Sequence, residues 1–130
     1  MARQPQRNHK TWAFTKMKIK RLDKVKINGR EFKIEWNPDS WGGSFAYSEM
    51  LITIGTKCED MVFSILCHEV MEICAVEMCV RLDRPDCTSD FIFVFDHRQY
   101  YTMMTMFSGV ISEFIECPTP ATIATKKKAS

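Results

Sequence analysis

No apolar run in this 130-residue sequence approaches the roughly 18 residues that a membrane span needs, so no transmembrane helix is expected. The basic start, Met1 to Lys10, is not followed by a continuous apolar stretch and a small-residue cleavage site, so a signal peptide is not expected either and the cytoplasm is the expected compartment. No C-x-x-C pair occurs among Cys58, Cys67, Cys74, Cys79, Cys87 and Cys117, which argues against a thiolate zinc knuckle or a thioredoxin-type redox centre. Four of these cysteines fall in one predicted helix and its first turn, where residues seven apart lie about 10 Å from each other along the axis, too far for a bridge. They are expected to be reduced, small core hydrophobes, with the nine methionines as gap-fillers. Histidine is scarce: His9, His68 and His97 are the whole supply. There is no internal repeat, and the middle of the chain lacks the basic stripe interleaved with aromatics that marks a nucleic-acid face.

What is present is globular composition, 45% hydrophobic and 26% charged, at the length of one ordinary domain. The net charge of +2 hides an uneven distribution. Arg3, Arg7, Lys10, Lys16 and Lys18 crowd the start and Lys126-Lys127-Lys128 the end. The expected organisation is a basic N-terminal tail over 1–22, a folded domain over 23–117 and a basic C-terminal tail over 118–130. Such tails are either solvated ends or weak contacts for polyanions such as nucleic acid.

Lys24 to Trp36 holds two alternating runs around Asn28-Gly29, the dipeptide that favours positive φ at both central turn residues, and so predicts a β-hairpin with Val25, Ile27, Phe32, Ile34 and Trp36 on its apolar face. Residues 45–54 alternate imperfectly and predict a third strand. Thr56 and Glu59 match a capping box at the start of a helix over about 58–82, which is apolar almost all round and therefore expected at the centre. Arg84-Pro85-Asp86 stops it. Phe91 to Phe95 is a continuous apolar run, consistent with a buried strand. Asp96 with Gln99 caps a last helix whose apolar face is Tyr100, Met103, Met104, Phe107, Val110, Ile111 and Phe114, and Pro118 and Pro120 end the fold. The fold class is α+β: a mixed or antiparallel sheet of three to four strands, a central buried helix and a C-terminal helix.

One constellation on the central helix can carry chemistry. With His68 placed at 0° on the helical wheel, Glu72 falls about 40° away and about 6 Å further along the axis, so the two share a face. Met61, Ile65, Ala75, Val76 and Cys79 make up the rest of that face, so the pair is expected to be buried, at a cost of several kcal/mol that a bound cation would remove. Helices present two ligands to one metal at this i, i+4 spacing. Glu69, about 100° round, flanks the pair as a general base for metal-activated water would. A third ligand must come from elsewhere. His97, following the apolar strand at the start of the last helix, would complete a His₂Glu set with an open fourth position. The plain alternatives are a hydrogen-bonded His68–Glu72 core pair, a solvated Glu69 and a surface His97.

Thr53-Ile54-Gly55 before the capped helix, then Ile65-Leu66-Cys67-His68-Glu69-Val70-Met71-Glu72-Ile73-Cys74 and a further helix, resembles the minimal zinc metallopeptidase-like proteins of bacteriophages and prophages, relatives of the SprT-like and ImmA/IrrE-like zincins, over about residues 45–116. The family usually reads His-Glu-x-x-His, and here Glu72 stands at the second histidine's place. The resemblance implies a zincin-like domain holding Zn²⁺, with His68 as first ligand, position 72 as second, Glu69 as general base and Glu113 on the last helix as the reserve third ligand to His97. It also implies that a strand edge beside the helix, Gly42 to Ile52, pairs with an extended peptide, with Trp41-Gly42-Gly43 as a lip over the site. The expected function is a zinc-dependent, metallopeptidase-like hydrolase acting on a peptide or protein, without a membrane partner. Its alternative is a non-catalytic zincin-fold binding protein, a phage accessory or partner-binding module, with the metal structural or absent.

Overall fold

Asn28 and Gly29 both adopt positive φ, 51° and 78°, the left-handed pair that a two-residue hairpin turn demands. They join β1 (Lys24–Ile27) to β2 (Arg30–Asn37) in antiparallel register, with Val25 opposite Phe32 and Ile27 opposite Arg30. The two-residue period then buries Val25, Ile27, Phe32 and Ile34 and leaves the intervening lysines and glutamates in water. Trp36 is half-buried, because its indole Nε1 donates to the Leu22 carbonyl at 2.9 Å while its ring meets Phe114 edge-on.

This computed structural model describes residues 19–83 and 90–116. The basic C-terminal tail and all but residues 19–22 of the N-terminal one lie outside those residues, and with them the choice between solvated ends and a weak polyanion contact, as do His9, Cys87, Cys117 and the stop signals at 84–86 and 118–120. The N-terminal boundary moves. Residues 19–22 were expected in the tail, yet Ile19 bridges Ile115, Lys20 N–H donates to the Phe114 carbonyl at 2.7 Å, and Leu22 packs on the core.

The single strand expected over 45–54 is instead two. β3 (Gly43–Ala46) ends in a 3-10 turn, Tyr47–Glu49, and Met50 at φ 52° reverses the chain into β4 (Leu51–Gly55). That turn is why the alternation was imperfect. β4 runs parallel to β2, with Ile34 opposite Ile52, and antiparallel to β3, with Phe45 opposite Ile52. The result is a mixed four-stranded sheet in the order β1-β2-β4-β3, with β3 at an edge.

The central helix is shorter than its expected span at both ends. A 3-10 turn, Glu59–Met61, precedes α1 (Val62–Glu77), and no side chain caps either start. The Thr56–Glu59 capping box does not form, because Thr56 still belongs to the exit from the sheet and its N–H is held by the Asn37 carbonyl at 2.8 Å. At the other end Cys79 takes φ 56°, its N–H donates to Val76 and the N–H of Val80 donates to Ala75. These are the two bonds of a Schellman motif, with cysteine where glycine is usual and buried Val80 as its apolar clasp. Arg81 and Leu82, expected to be helical, therefore leave with Asp83 as a strand.

β5 (Arg81–Asp83) pairs antiparallel with β6 (Phe91–Phe93) in a separate two-stranded sheet. The buried strand expected over 91–95 is not buried: only Ile92 is half-covered, and Phe91, Phe93, Val94 and Phe95 are exposed. An apolar run implies burial only when something covers both faces, and a two-stranded sheet at the margin of the domain offers no second layer. The chain then turns into α2 (His97–Ser112) through the expected cap. Asp96 Oδ1 accepts from Gln99 N–H at 2.8 Å, and Gln99 Oε1 accepts from Asp96 N–H at 3.0 Å.

The architecture is thus α+β, one mixed sheet and one small sheet with two helices. Its core gathers the inner faces of β1, β2 and β4, the stripe Val62, Leu66, Val70 and Ile73 of α1, and Met103, Val110, Ile111 and Phe114 at α2. No helix among the described residues is long and apolar enough to cross a membrane. Of the described cysteines, all free thiols, only Cys74 is a core residue; Cys58 and Cys67 are half-buried and Cys79 is exposed.

Candidate functional site

The face that α1 buries is set by Val62, Leu66, Glu69, Val70, Ile73 and Cys74, centred about 160° round from His68, and of the residues expected to share the His68 face only Ala75 is fully buried. This reverses the expected burial. The His68 side chain is 67% exposed and that of Glu72 24%, whereas Glu69 as a residue is only 4% exposed. An almost uniformly apolar helix gives the wheel no contrast, and Met61 and Cys79, which seemed to define the inner face, lie at the helix ends and are exposed.

Glu69 faces β3. A Cβ on Gly43 would stand 2.7 Å from Ile65 Cγ2, 2.9 Å from Glu69 Cγ and 3.0 Å from Glu69 Oε1, so only glycine lets the edge strand approach the helix here. Gly43 is therefore a strand residue in contact with the acid rather than part of a loose lip. Together with Ser64, Ile65, His68 and Glu69 it lines an open cleft of about 270 Å³. Burial pushes the Glu69 carboxyl above the ordinary carboxylate range, the nearby Glu72 charge adds to this, and His68 opposes it.

β3 contributes backbone as well. Gly55 N–H donates to the Gly42 carbonyl at 2.7 Å, so Gly42 and Gly55 are a hydrogen-bonded pair. Alternation along an antiparallel pair then bonds Ser44 and Ala46 to β4 and turns the N–H and C=O of Gly43 and Phe45 toward the open side. Among the described residues no strand pairs with these groups, so two residues of hydrogen-bonding edge lie beside Glu69.

His68 Nε2 and Glu72 Oε2 are 3.8 Å apart on the solvent side of the cleft. Two ligands about 2.0 to 2.2 Å from one zinc ion stand at nearly this separation, and imidazole with carboxylate is a donor set zinc accepts. The third ligand does not join them. Among the described residues no three His, Cys, Asp or Glu side chains are gathered where one ion could bind them all. His97 opens α2 as an exposed first-turn residue, and Glu113, just past α2, is likewise exposed. The expected convergence of His68, Glu72 and His97, or of Glu113 in reserve, is therefore corrected: the described residues fit two positions of such a site, both from one helix. An exposed α2 start beside an open two-stranded sheet does not bring His97 to α1.

A second carboxylate on the buried stripe went unnoticed in the sequence. Glu77 accepts a hydrogen bond from the Tyr47 hydroxyl and one from Asn28 Nδ2 at 2.8 Å, and pairs with Arg30 Nε at 3.2 Å. Burial raises its carboxyl, but the Tyr47 and Asn28 hydrogen bonds and the Arg30 charge outweigh that and hold it below the ordinary range. The signal was available: Val62, Leu66, Glu69, Ile73 and Glu77 follow the 4-3-4-4 spacing of a core stripe, so acids at the third and fifth places are polar residues at core positions.

The chain matches no family model, and no curated protein or solved structure matches it at a significant level.

Proposed function

We propose that this domain is a zincin-type hydrolase of peptides or proteins, working in the cytoplasm, with its chemistry at the cleft between α1 and β3. The observation that carries the reading is the juxtaposition at Gly43: a buried carboxylate, Glu69, faces a strand edge whose Gly43 and Phe45 backbone groups are free, while the His68–Glu72 pair stands at solvent. An extended peptide laid on that edge would be held by main-chain hydrogen bonds independent of its sequence. Glu69, with its proton affinity raised by burial, is suited to take a proton from an attacking water at Oε1 and return it to the leaving nitrogen. His68 Nε2 and Glu72 Oε2 are the atoms that would hold a zinc ion, which would supply a Lewis acid for the scissile carbonyl. The His-Glu-x-x-Glu segment and its resemblance to phage zincins support the same assignment.

Elemental analysis of the purified protein tests it. Stoichiometric zinc in the wild type and its loss in His68→Ala are expected, as is hydrolysis of an unstructured protein such as casein that Glu69→Gln abolishes without losing metal. A metal-free wild type would remove the hydrolase reading. The free edge of β3 favours a second one, since strand addition captures a partner with no chemistry at all; metal bound with Glu69→Gln leaving every measured property unchanged would select it.

A further inference from the structure

Besides Trp41, Met61 and Leu82, the exposed large apolar side chains of the described residues fall in one segment. Phe91, Phe93, Val94, Phe95, Tyr100 and Tyr101, within eleven residues of chain, are each between 39% and 69% exposed. Phe91 and Phe93 share one face of β6, because the register pairs them with Asp83 and Arg81, while Ile92 and the exposed Leu82 occupy the other. The Arg81 guanidinium lies 3.9 Å from the Phe91 ring centroid, which fixes that ring in its outward position. Phe95 and Tyr100 stack with centroids 5.9 Å apart, continuing the apolar surface from the strand to the first turns of α2.

The sheet beneath this surface is also incomplete. Among the described residues β5 and β6 pair only with each other, three residues against three, and an isolated two-stranded sheet is marginal in water. A short apolar strand with an unpaired edge is the feature that soluble proteins ordinarily blunt with charge or proline, and β6, Phe91-Ile92-Phe93, has neither.

We propose that this face is a homodimer interface in which β6 pairs antiparallel with β6 of a second copy about a twofold axis, making one four-stranded sheet. A second copy is the occupant the surface fits, because a strand three residues long centred on Ile92 is self-complementary: in twofold pairing Phe91 of each copy comes opposite Phe93 of the other, and four phenyl rings form one continuous face. The area agrees. At about 200 Å² per fully exposed aromatic residue, the five aromatic side chains leave roughly 500 Å² in water. A standard interface takes about 800 Å² from each partner, and homodimer interfaces are about 65% apolar, so these rings supply close to the whole apolar share of one side. The surface shares no residue with the lining of the Glu69 cleft, although the Arg81 guanidinium that meets Phe91 also lies 5.2 Å from the Phe45 ring of β3; self-association is read without reference to hydrolysis and so does not depend on that reading.

Sedimentation velocity of the full chain from about 1 to about 100 μM reads the association directly. A dimer is expected, dissociating on dilution. Phe93→Asp sets a charge among the rings and opposite Arg81 of its own chain, and Tyr101→Ser shortens the most exposed ring of the patch without touching the sheet. Each is expected to weaken dimerisation by about tenfold or more, as the loss of a central interface residue does, while circular dichroism, and the thermal midpoint at dilutions where the wild type is monomeric, stay at wild-type values. A wild type that sediments as a monomer throughout this range overturns the proposal. So does a dimer that persists unchanged in both variants, since its interface then lies elsewhere.

Discussion

Replacing Glu77 tests how the hairpin, the β3 exit and the end of α1 are locked together. Its side chain is 4% exposed, and removing it in Glu77→Ala leaves the Tyr47 hydroxyl and the Asn28 amide without their common acceptor. A hydrogen bond to a charged group contributes about 1.5 to 3 kcal/mol, whereas the pair with Arg30, whose side chain is 56% exposed, adds less than about 1 kcal/mol. Partial re-solvation of Tyr47 and Asn28 sets the sum near 3 kcal/mol. For a domain of this size that lowers the thermal midpoint by roughly 10 to 20 °C. The pH dependence has a definite sign. The folded carboxyl lies below its ordinary value of 4.5, so the charged form contributes stability that is present above that value and is lost as pH falls through the folded one. Glu77→Gln keeps the shape without the titration. Urea unfolding followed by tryptophan fluorescence should therefore give a wild-type advantage over Glu77→Gln that is constant above about pH 6 and shrinks below about pH 4.5. An advantage that persists undiminished at low pH, or a Glu77→Ala variant as stable as wild type, refutes the network.

Other positions give sharper single outcomes. Cys79→Gly removes a side chain from a left-handed residue and should raise the unfolding free energy by about 1 kcal/mol, read from the urea midpoint. Asp96→Ala, which opens the capping box of α2, should cost about 1 kcal/mol by the same measurement. Phe114→Ala empties a fully buried site against Trp36 and should cost about 3 to 5 kcal/mol. Gly43→Ala forces Ile65 and Glu69 aside, so it should lose about 1 to 3 kcal/mol, and casein hydrolysis should fall further than that of an equally destabilised Asp96→Ala control.

The parts of the fold legible in the sequence were those fixed by local chemistry. Asn28-Gly29 demanded a two-residue turn and Asp96 with Gln99 demanded a helix start, and each signal stands alone. The parts that misled were decided by neighbours. Phe91 to Phe95 is apolar enough for a core, but whether a strand is covered depends on which layers reach it. Thr56 and Glu59 have the spacing of a capping box, yet the Asn37 carbonyl already holds the Thr56 amide. At the site, i, i+4 spacing correctly placed His68 beside Glu72, because helix geometry guarantees it. It did not tell which side of α1 turns inward, since apolar residues ring the helix. Reading Val62, Leu66, Glu69, Ile73 and Glu77 as one stripe would have exposed both buried acids.

Those two acids lie on the same stripe of one helix, eight residues apart, and their surroundings pull them in opposite directions. Glu77 meets three donors from three segments, its charge is satisfied, and its proton affinity falls. Glu69 meets Gly43, a site with no side chain, at the wall of an open cleft, and burial raises its proton affinity. A carboxylate that serves only the fold is best surrounded as Glu77 is, because every donor aimed at it offsets the cost of burial. A carboxylate buried beside a cleft and pushed toward the protonated form contributes less to stability than a leucine there would. Its placement accords with the acid–base role proposed for it, since groups whose surroundings push their proton affinities apart are candidates for such roles. Glu69→Leu should accordingly stabilise the domain while abolishing whatever the cleft does, whereas Glu77→Leu should only destabilise it. Paired urea titrations of the two variants decide between these outcomes, and equal destabilisation would show that Glu69 is as structural as Glu77.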